Sequence, residues 1–458
     1  MYAISIGKTS IFTFSKTKLN IFYQGNEGKH YKKMQNIISN KLRVGALNCQ
    51  GLRDKVDLSN FLQLINDADI FGISETWLRE KENDISLPGF NFKHMPRKAS
   101  KGPARGGVGV FVRNEIKKHV KIKRDISNEN FLWCKISKGY LGYHDDLYLC
   151  FVYIPPECST REKRININHF KRLQETLSKI NGENIILMGD FNARTQLTDD
   201  NLLRDGEHDL PNYFFSDIIS KRCNQDLGIN NYGKKLTDLC IATKSYIVNG
   251  RTLGDFQGKL TCYEEKGAST VDYTIASEQM HRHIVKFQVL DPTHSDHCPI
   301  ILELHSRNKL QKDVGIKKSF PTIRWTDKTK QAFFTKLESN DTQYTLREID
   351  NLLDASGDID KIVDKISEIY NVIEKNPKKD KPKKKITTKP KKWYDKSCFE
   401  LANKLKNIAK LVSNSPKNPH LRGSLCKTRK EYRKLLKLKR KEWKTQMVHQ
   451  LEKIIGNL

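Results

Sequence analysis

The chain has 458 residues, and its 82 Lys and Arg outnumber its 53 Asp and Glu, which gives a formal net charge of +29. This length predicts two or three domains, and the positive excess favours a polyanionic partner, most often nucleic acid, over the lesser alternative of an anionic membrane surface. The apolar stretches are only several residues long, which excludes a transmembrane protein.

Residues 1–40 place Lys and Ser inside every short hydrophobic patch, and they lack an apolar run followed by a small-residue cleavage site. We therefore expect a poorly ordered N-terminal extension, no secretory signal, and a nuclear or cytoplasmic protein. Ten cysteines are scattered without a Cys-x-x-Cys pair. This pattern is typical of reduced structural thiols and argues against a zinc site.

Residues 41–305 alternate β-rich runs with amphipathic helical stretches, which predicts one α/β or α+β domain. Apolar residues recur at three and four positions in 58–65 and 168–180, as they do in helices. The predicted strands cover residues 42–48, 69–74, 107–113, 147–154, 184–191, 269–277 and 298–305.

After residue 305 the pattern changes to charged helical stretches. Residues 306–374 form a predicted helical connector, with a helix expected over 359–375, and residues 375–392 form a Lys- and Pro-rich linker. Residues 393–458 form a basic helical segment. From residue 375 onward there are 27 Lys and Arg and 6 Asp and Glu, so +21 of the net charge lies in the last 84 residues.

Polar residues stand at or just beyond the predicted strand ends in six short motifs, where a rigid scaffold can hold a site. Each of them alone is also typical of an ordinary turn or, for Tyr153, of packing. The motifs are "LNCQGLR" with Asn48, "SETWL" with Glu75, "VYIPP" with Tyr153, "MGDFNAR" with Asp190 and Asn192, "STVDY" with Asp272, and "SDH" with Asp296 and His297.

These six motifs, in this order, resemble the endonuclease/exonuclease/phosphatase superfamily over about residues 42–305. The resemblance implies a four-layer α/β sandwich of the deoxyribonuclease type, with two packed β-sheets flanked by helices, followed here by the basic helical tail. It also implies a Mg²⁺-dependent phosphodiesterase, with Mn²⁺ as an alternative ion. Mg²⁺ prefers hard oxygen ligands, which agrees with the carboxylates in the motifs.

The resemblance also implies a role for each residue. Glu75 and Asp296 are the expected metal ligands, and Asn48 orients Glu75 or contacts the metal. Asp190 positions or deprotonates the attacking water, and Asn192 donates to the phosphate. His297 contacts the scissile phosphate with Asp272 behind its ring, and Tyr153 bonds a phosphate oxygen. Tyr273, beside Asp272, is expected in the core.

The wording of the motifs resembles the endonuclease domain of LINE-type non-LTR retrotransposons, with "LNCQGLRDK", "ISETWL" and "GDFNAR" among the supporting segments. The tail resembles the basic segment before the reverse transcriptase of such polyproteins. Since no Tyr/Phe-x-Asp-Asp polymerase motif follows, we expect the front part of such a polyprotein or a gene from a truncated copy. Gln50 replaces an acid that is usual in abasic-site endonucleases, which makes that activity a weaker alternative.

Two hypotheses follow. The protein is either an active endonuclease that nicks one DNA strand and leaves a 3′-hydroxyl, or a catalytically idle nucleic-acid-binding remnant. A lipid or inositol phosphatase is disfavoured by the basic tail and by the motif wording.

The tail is predicted to be a helix with one apolar stripe, which leaves its basic residues free to bind DNA, with RNA as a second polyanion. On this view a chain cut near residue 310 keeps metal-dependent nicking. "KPKKK" at 381–385 is a candidate nuclear localisation signal. The basic residues are Lys427, Arg429, Lys430, Arg433, Lys434, Lys437, Lys439, Arg440 and Lys441.

Overall fold

The computed structural model describes most of the chain. The described residues are 2–5, 11–15, 18–22, 41–80, 85–97, 105–157, 159, 167–180, 182–200, 221–306, 335, 338–354 and 391–455. Residues 1–312 and 390–458 form one compact unit, and residues 313–389 form another. In the second unit the structure describes one main helix, α6 (Asn340–Asp354). The predicted helix over 359–375 and the linker lie outside the described residues.

Residues 1–40 contain three described strands, which the sequence did not lead us to expect: β1 (Tyr2–Ser5), β2 (Ile11–Ser15) and β3 (Lys18–Phe22). They pair as an antiparallel sheet in the order β1-β2-β3.

The central strands of the first six-stranded sheet are apolar along nearly their whole length. Such strands are typical of a sheet with both faces covered. The first sheet has the spatial order β16-β17-β4-β5-β7-β6, and β4 and β5 are parallel. Its strands are β4 (Lys41–Asn48), β5 (Ile70–Ser74), β6 (Phe90–Met95), β7 (Val108–Arg113), β16 (Ile284–Val289) and β17 (Ile300–His305).

The second sheet has the order β12-β15-β11-β10-β9-β8, and here β10 and β11 are the parallel pair. Its strands are β8 (Val120–Ile122), β9 (Phe131–Ile136), β10 (Leu147–Tyr153), β11 (Ile185–Asp190), β12 (Ser245–Ile247) and β15 (Asp272–Ser277). A two-stranded ribbon of β13 (Cys262–Tyr263) and β14 (Ala268–Ser269) precedes β15.

The central core lies between the two sheets, where apolar residues of β4 and β7 meet those of β9 and β10. The helices are α1 (Ser59–Asn66), α2 (Lys138–Leu141), α3 (His169–Lys179), α4 (Asn231–Ala242), α5 (Glu278–His281), α6, α7 (Lys396–Asn414) and α8 (Pro419–Ile455), with a 3₁₀ turn at Lys117–His119.

Helices α3 and α4 cover the outer face of the second sheet, where Leu173 and Leu236 are fully buried in a separate cluster. Helix α1 covers the outer face of the first sheet through Phe61 and Ile65, which are also fully buried. The predicted four-layer α/β sandwich is therefore confirmed.

The C-terminal hairpin, formed by α7 and α8, also belongs to the outer layer of the first sheet. Leu405, Leu425, Tyr432 and Leu436 are at most 5% exposed and lie in the same cluster as the residues of α1. Tyr432 and Leu436, which belong to the predicted apolar stripe of the last helix, thus pack against the α/β sandwich. No helix within the described ranges is both long and apolar enough to cross a bilayer.

Candidate active site

The two parallel strand pairs bring the predicted residues to one edge of the sandwich. Asn48 ends β4, and Glu75 follows the neighbouring strand β5 directly. Asp190 ends β11, and its register partner on the antiparallel strand β15 is Asp272. Because the carboxyl ends of the parallel strands β4 and β5 lie on the same side of the first sheet, Asn48 and Glu75 are neighbours. The packing of the two sheets brings Asp190 of the second sheet into contact with Asn48.

The buried amide of Asn48 is the centre of this cluster. Its Nδ2 donates to Glu75 Oε1 at 3.0 Å and to Asp190 Oδ2 at 2.9 Å, and it lies 3.5 Å from His297 Nε2. Asn48 is 1% exposed, so its position is fixed by packing as well as by these bonds. One amide therefore holds a carboxylate from each sheet in place.

His297 and Asp272 form a buried pair beside Asp190. His297 Nδ1 lies 2.9 Å from Asp272 Oδ2, and His297 Nε2 lies 3.8 Å from Asp190 Oδ2. Burial opposes the charged imidazolium, but the negative charge of Asp272 outweighs it and raises the pKa of His297 well above its ordinary value. This shift favours the protonated form of His297, which can donate from both ring nitrogens.

The surroundings of Asp190 favour the opposite role, that of a proton acceptor. Burial, reinforced by repulsion from Asp272, raises the pKa of Asp190 to about 7, although His297 and Asn48 oppose this rise. The backbone N–H of Asn192 donates to Asp190 Oδ1 at 2.9 Å, and Asn192 Nδ2 donates to Asp190 Oδ2 at 3.2 Å. A carboxylate with a pKa near the working pH is suited to accept a proton from water.

Strained backbone accumulates around this cluster. Gln50, Glu75, Trp77 and Asn192 all have a positive φ, between 48° and 54°, which non-glycine residues rarely adopt. Such strain costs on the order of 1–3 kcal/mol per residue and persists where the surrounding structure enforces it, commonly at functional sites. Propensity-based reading of the sequence could not have found this feature.

Two further residues show what the motifs contribute. Burial, with the negative charges of Glu75 and Asp190, raises the pKa of Tyr153, so its hydroxyl stays protonated and can donate.

Ser295 of the "SDH" motif is fully buried, and its Oγ donates to the Asn48 carbonyl at 2.5 Å and accepts from His297 N at 3.1 Å. Ser295 thus joins the first and last motifs. Tyr273 is buried in the core, as expected.

Asp296, an expected metal ligand, has partners that the sequence did not reveal. Its Oδ2 accepts from Gln50 Nε2 at 3.1 Å, and its Oδ1 is 2.6 Å from Arg429 Nη1 of α8. Burial raises the pKa of Asp296, but the Arg429 guanidinium and the Gln50 amide together lower it below its usual value. Gln50, which stands where an acid is usual in abasic-site endonucleases, therefore forms a hydrogen bond with Asp296 of the "SDH" motif.

The residues present fit a divalent cation. The carboxylates of Glu75 and Asp190 approach within hydrogen-bonding distance of one amide, which gives a site rich in hard oxygen atoms. Ligand atoms of Asp190, Asp272 and His297 also lie within 4.8 Å of one another. That second group is less suited to a cation, because a protonated His297 bonded to Asp272 has no lone pair to offer. The Glu75 side of the cluster is the better candidate.

The prediction that all nine basic residues of the tail are free is wrong. Arg429 is 2% exposed and pairs with Asp296, because α8 packs against the catalytic domain. Arg433 donates to Gln50 Oε1, Arg440 contacts Asp54, and Lys439 pairs with Asp395. Five lysines of the set remain exposed: Lys427, Lys430, Lys434, Lys437 and Lys441.

Comparisons with known proteins agree with the motifs. A model described as "Endonuclease/Exonuclease/phosphatase family" matches residues 45–297. No curated protein sequence gives a significant match.

The solved structures that are similar to this chain include the following three. The endonuclease domain of TRAS1, a telomere-specific non-LTR retrotransposon, is 14% identical, with 58% of this chain and 100% of that chain covered and a TM-score of 0.40. The AP endonuclease LMAP from Leishmania major is 15% identical, with 58% and 89% covered and a TM-score of 0.43. The 3′-5′ exonuclease NExo from Neisseria meningitidis is 15% identical, with 57% and 99% covered and a TM-score of 0.39.

Proposed function

Because this chain belongs to the endonuclease/exonuclease/phosphatase family, we propose that it is a Mg²⁺-dependent DNA endonuclease that hydrolyses one phosphodiester bond and leaves a 3′-hydroxyl. The observation that carries the proposal is the contact of Asn48 with Glu75, Asp190 and His297 from three separate motifs. An idle remnant would have no need to keep a buried cluster of this composition.

Each residue has a role that its contacts support. Asp190, fixed by Asn48 and Asn192, accepts a proton from the attacking water. His297 donates to a non-bridging oxygen of the scissile phosphate, and Asp272 keeps its ring charged and oriented. Tyr153 provides a further donor to the phosphate. Asn192 donates to Asp190 and to the Ile154 carbonyl, so we assign it to positioning Asp190 as well as to phosphate contact.

Glu75, with Asn48 beside it, would hold the metal, and Asp296 is the further ligand that we propose. A bound divalent cation supplies charge stabilisation to the phosphoryl oxygens and to the leaving oxygen. Mg²⁺ is the proposed ion because the donors are hard oxygens, and Mn²⁺ accepts the same donors.

The wording of the motifs supports a narrower assignment, to the nicking step of target-primed retrotransposition in the nucleus. The five exposed lysines of α8 are candidate contacts to DNA phosphates, with RNA as a second polyanion. Abasic-site cleavage remains the alternative substrate class, and an idle nucleic-acid-binding remnant is the alternative function.

The test of this function uses supercoiled plasmid, purified full-length protein, and either Mg²⁺ or a chelator. We expect conversion to the open-circular form only with the metal, and extension of the nicked product by a DNA polymerase, which needs a 3′-hydroxyl. Equal nicking in chelator, or a nick that the polymerase does not extend, would contradict the proposal. A duplex with one abasic residue, compared with an intact duplex, separates the alternative substrate.

The Asp272→Asn substitution tests the buried pair. An amide has the same shape but cannot stabilise an imidazolium, so we expect a fall in the nicking rate of about 10²-fold or more with little change in the melting temperature. The nicking rate is measured beside a thermal unfolding curve. If the variant unfolds instead, Asp272 is a structural support and its catalytic role is lost.

A further inference from the structure

A cleft of about 170 Å³ lies between α8 and the loops that follow β4 and β5. The catalytic domain contributes Gln50, Lys55 and Trp77 to its wall, and α8 contributes Arg429, Tyr432 and Arg433, among others. Its edge reaches the active site at two points. Gln50 Nε2 donates to Asp296, and Trp77 Nε1 donates to Glu75 Oε2 at 3.1 Å. Anything bound in the cleft therefore lies directly beside the proposed metal ligands.

The charge of this cleft is not balanced by the protein. Five cationic side chains line it, namely Lys55, Arg429, Arg433, Lys437 and Arg440, against the single carboxylate of Asp54. Asp54 pairs with Arg440, and Arg429 pairs with Asp296 outside the cleft. In the part of the chain that the structure describes, the other three cations form no ion pair.

One of these three cations is buried and a second is half-buried. Lys55 is 7% exposed, and among the described residues its Nζ donates only to the carbonyls of Gln50 and Gly51, each at 3.1 Å. Arg433 Nη2 donates to the neutral Gln50 Oε1 at 3.2 Å. Burial lowers the pKa of both groups, although the negative charge of Asp296 partly opposes this. A bound anion would stabilise both positive charges further.

Arg429 adds an independent observation. It is 2% exposed and lines the cleft, and its Nε has no hydrogen-bond partner among the described residues. Buried donors are rarely left without an acceptor, and this one agrees with the excess positive charge of the cleft, although it is not the only such arginine Nε atom among the described residues.

Trp77 gives the cleft an aromatic wall. Its side chain is 40% exposed although its indole N–H is bound to Glu75 and its ring lies against the backbone of Gly51, where an added Cβ would come within 2.9 Å of the ring. An aromatic face that is fixed but exposed beside cations is typical of sites that stack a nucleobase and bind the adjoining phosphate.

We propose that this cleft binds the DNA strand next to the scissile bond, with a phosphodiester group at Lys55, Arg433 and Lys437 and a base against Trp77. The proposal rests on the proposed function for its substrate class. On this proposal α8 forms one wall of the substrate site. The tail then contacts the DNA through specific side chains, in addition to attracting it by its overall positive charge. The strand's repeating phosphates allow one to occupy the cleft while its neighbour lies at His297.

The test measures DNA binding without catalysis. Full-length protein is titrated in chelator onto a short fluorescein-labelled duplex, and anisotropy is read at several KCl concentrations. Arg433→Gln and Lys437→Gln each remove one cation from the cleft, and Lys404→Gln removes an exposed cation from α7 as the matched control. Thermal unfolding of each variant checks its fold. Lys437 is exposed, so its variant keeps the test valid if Arg433→Gln does not fold.

We expect each cleft variant to bind about tenfold more weakly, and the log–log salt slope to fall by about 1, since one phosphate contact is lost. Trp77→Ala should weaken binding and leave the salt slope unchanged, because stacking involves no counterion. Lys404→Gln should bind as the wild type does. Wild-type affinity and slope in both cleft variants would overturn the proposal. Altered binding without Mg²⁺-dependent nicking would refute the proposed function alone, and nicking with unaltered binding would refute this inference alone.

Discussion

Substitution of His297 by alanine is expected to lower the rate of plasmid nicking by about 10²–10³-fold, since loss of one hydrogen-bond donor to the charge of the transition state costs that much. Glu75→Ala and Asp190→Ala should each cause a comparable loss, because they remove the proposed metal ligand and the proton acceptor. Initial rates of open-circle formation at saturating Mg²⁺ give the comparison. The double variant of Asp190 and His297 should lose little more than either single one, because groups that act together are not additive.

His144→Ala is the control for this series, because that histidine side chain is 97% exposed. It should nick at the wild-type rate. Rates within threefold of wild type in all three active-site variants would rule out the mechanism.

Removal of the C-terminal hairpin is expected to destabilise the catalytic domain. The sequence suggested that a chain cut near residue 310 keeps its activity, but Leu425, Tyr432 and Leu436 are buried against the first sheet. Burial of one such side chain is worth about 1.5–3 kcal/mol, and loss of the hairpin would also leave Asp296 without Arg429. A chain ending before Pro390 should therefore melt several degrees lower and expose an apolar surface that binds a hydrophobic dye.

A single substitution makes the same test in the full chain. Leu436 is 5% exposed, whereas Leu438 on the same helix is 51% exposed. Leu436→Ala should lower the free energy of unfolding in urea by about 2–5 kcal/mol, and Leu438→Ala by less than about 0.5 kcal/mol. Equal effects of the two substitutions would show that α8 does not pack as described.

Motif order and strand patterns were sufficient to predict the sandwich and the main residues of the cluster. Asn48, Asp190 and Asp272 stand at the ends of long apolar strands, and such strands are readable because both of their faces are buried. After residue 40, strands β6, β8, β9, β12, β13 and β16 were missed. Strands β6, β8, β9 and β16 each have a lysine, and β6, β8 and β16 lie at sheet edges with partly exposed residues, which weakens the apolar signal. Strands β12 and β13 are only three and two residues long.

The contacts of the tail could not be predicted from the sequence. Arg429 and Asp296 are 133 residues apart, and a basic helix with one apolar stripe has the same pattern whether it packs on this domain or on another partner. The stripe itself was readable, and Tyr432 and Leu436 in it are buried. The sequence does not identify the surface against which these two side chains pack.

The shared cluster of α1 and the hairpin has a consequence for the order in which the chain can fold during synthesis. The last strand of the sandwich ends at His305, but Leu436 completes the layer outside the first sheet. At roughly 5–20 residues per second, the intervening 131 residues take about 7–26 s to synthesise. Throughout that interval the outer face of the first sheet has α1 but lacks the hairpin, so the nascent protein has a hydrophobic surface that chaperones can bind.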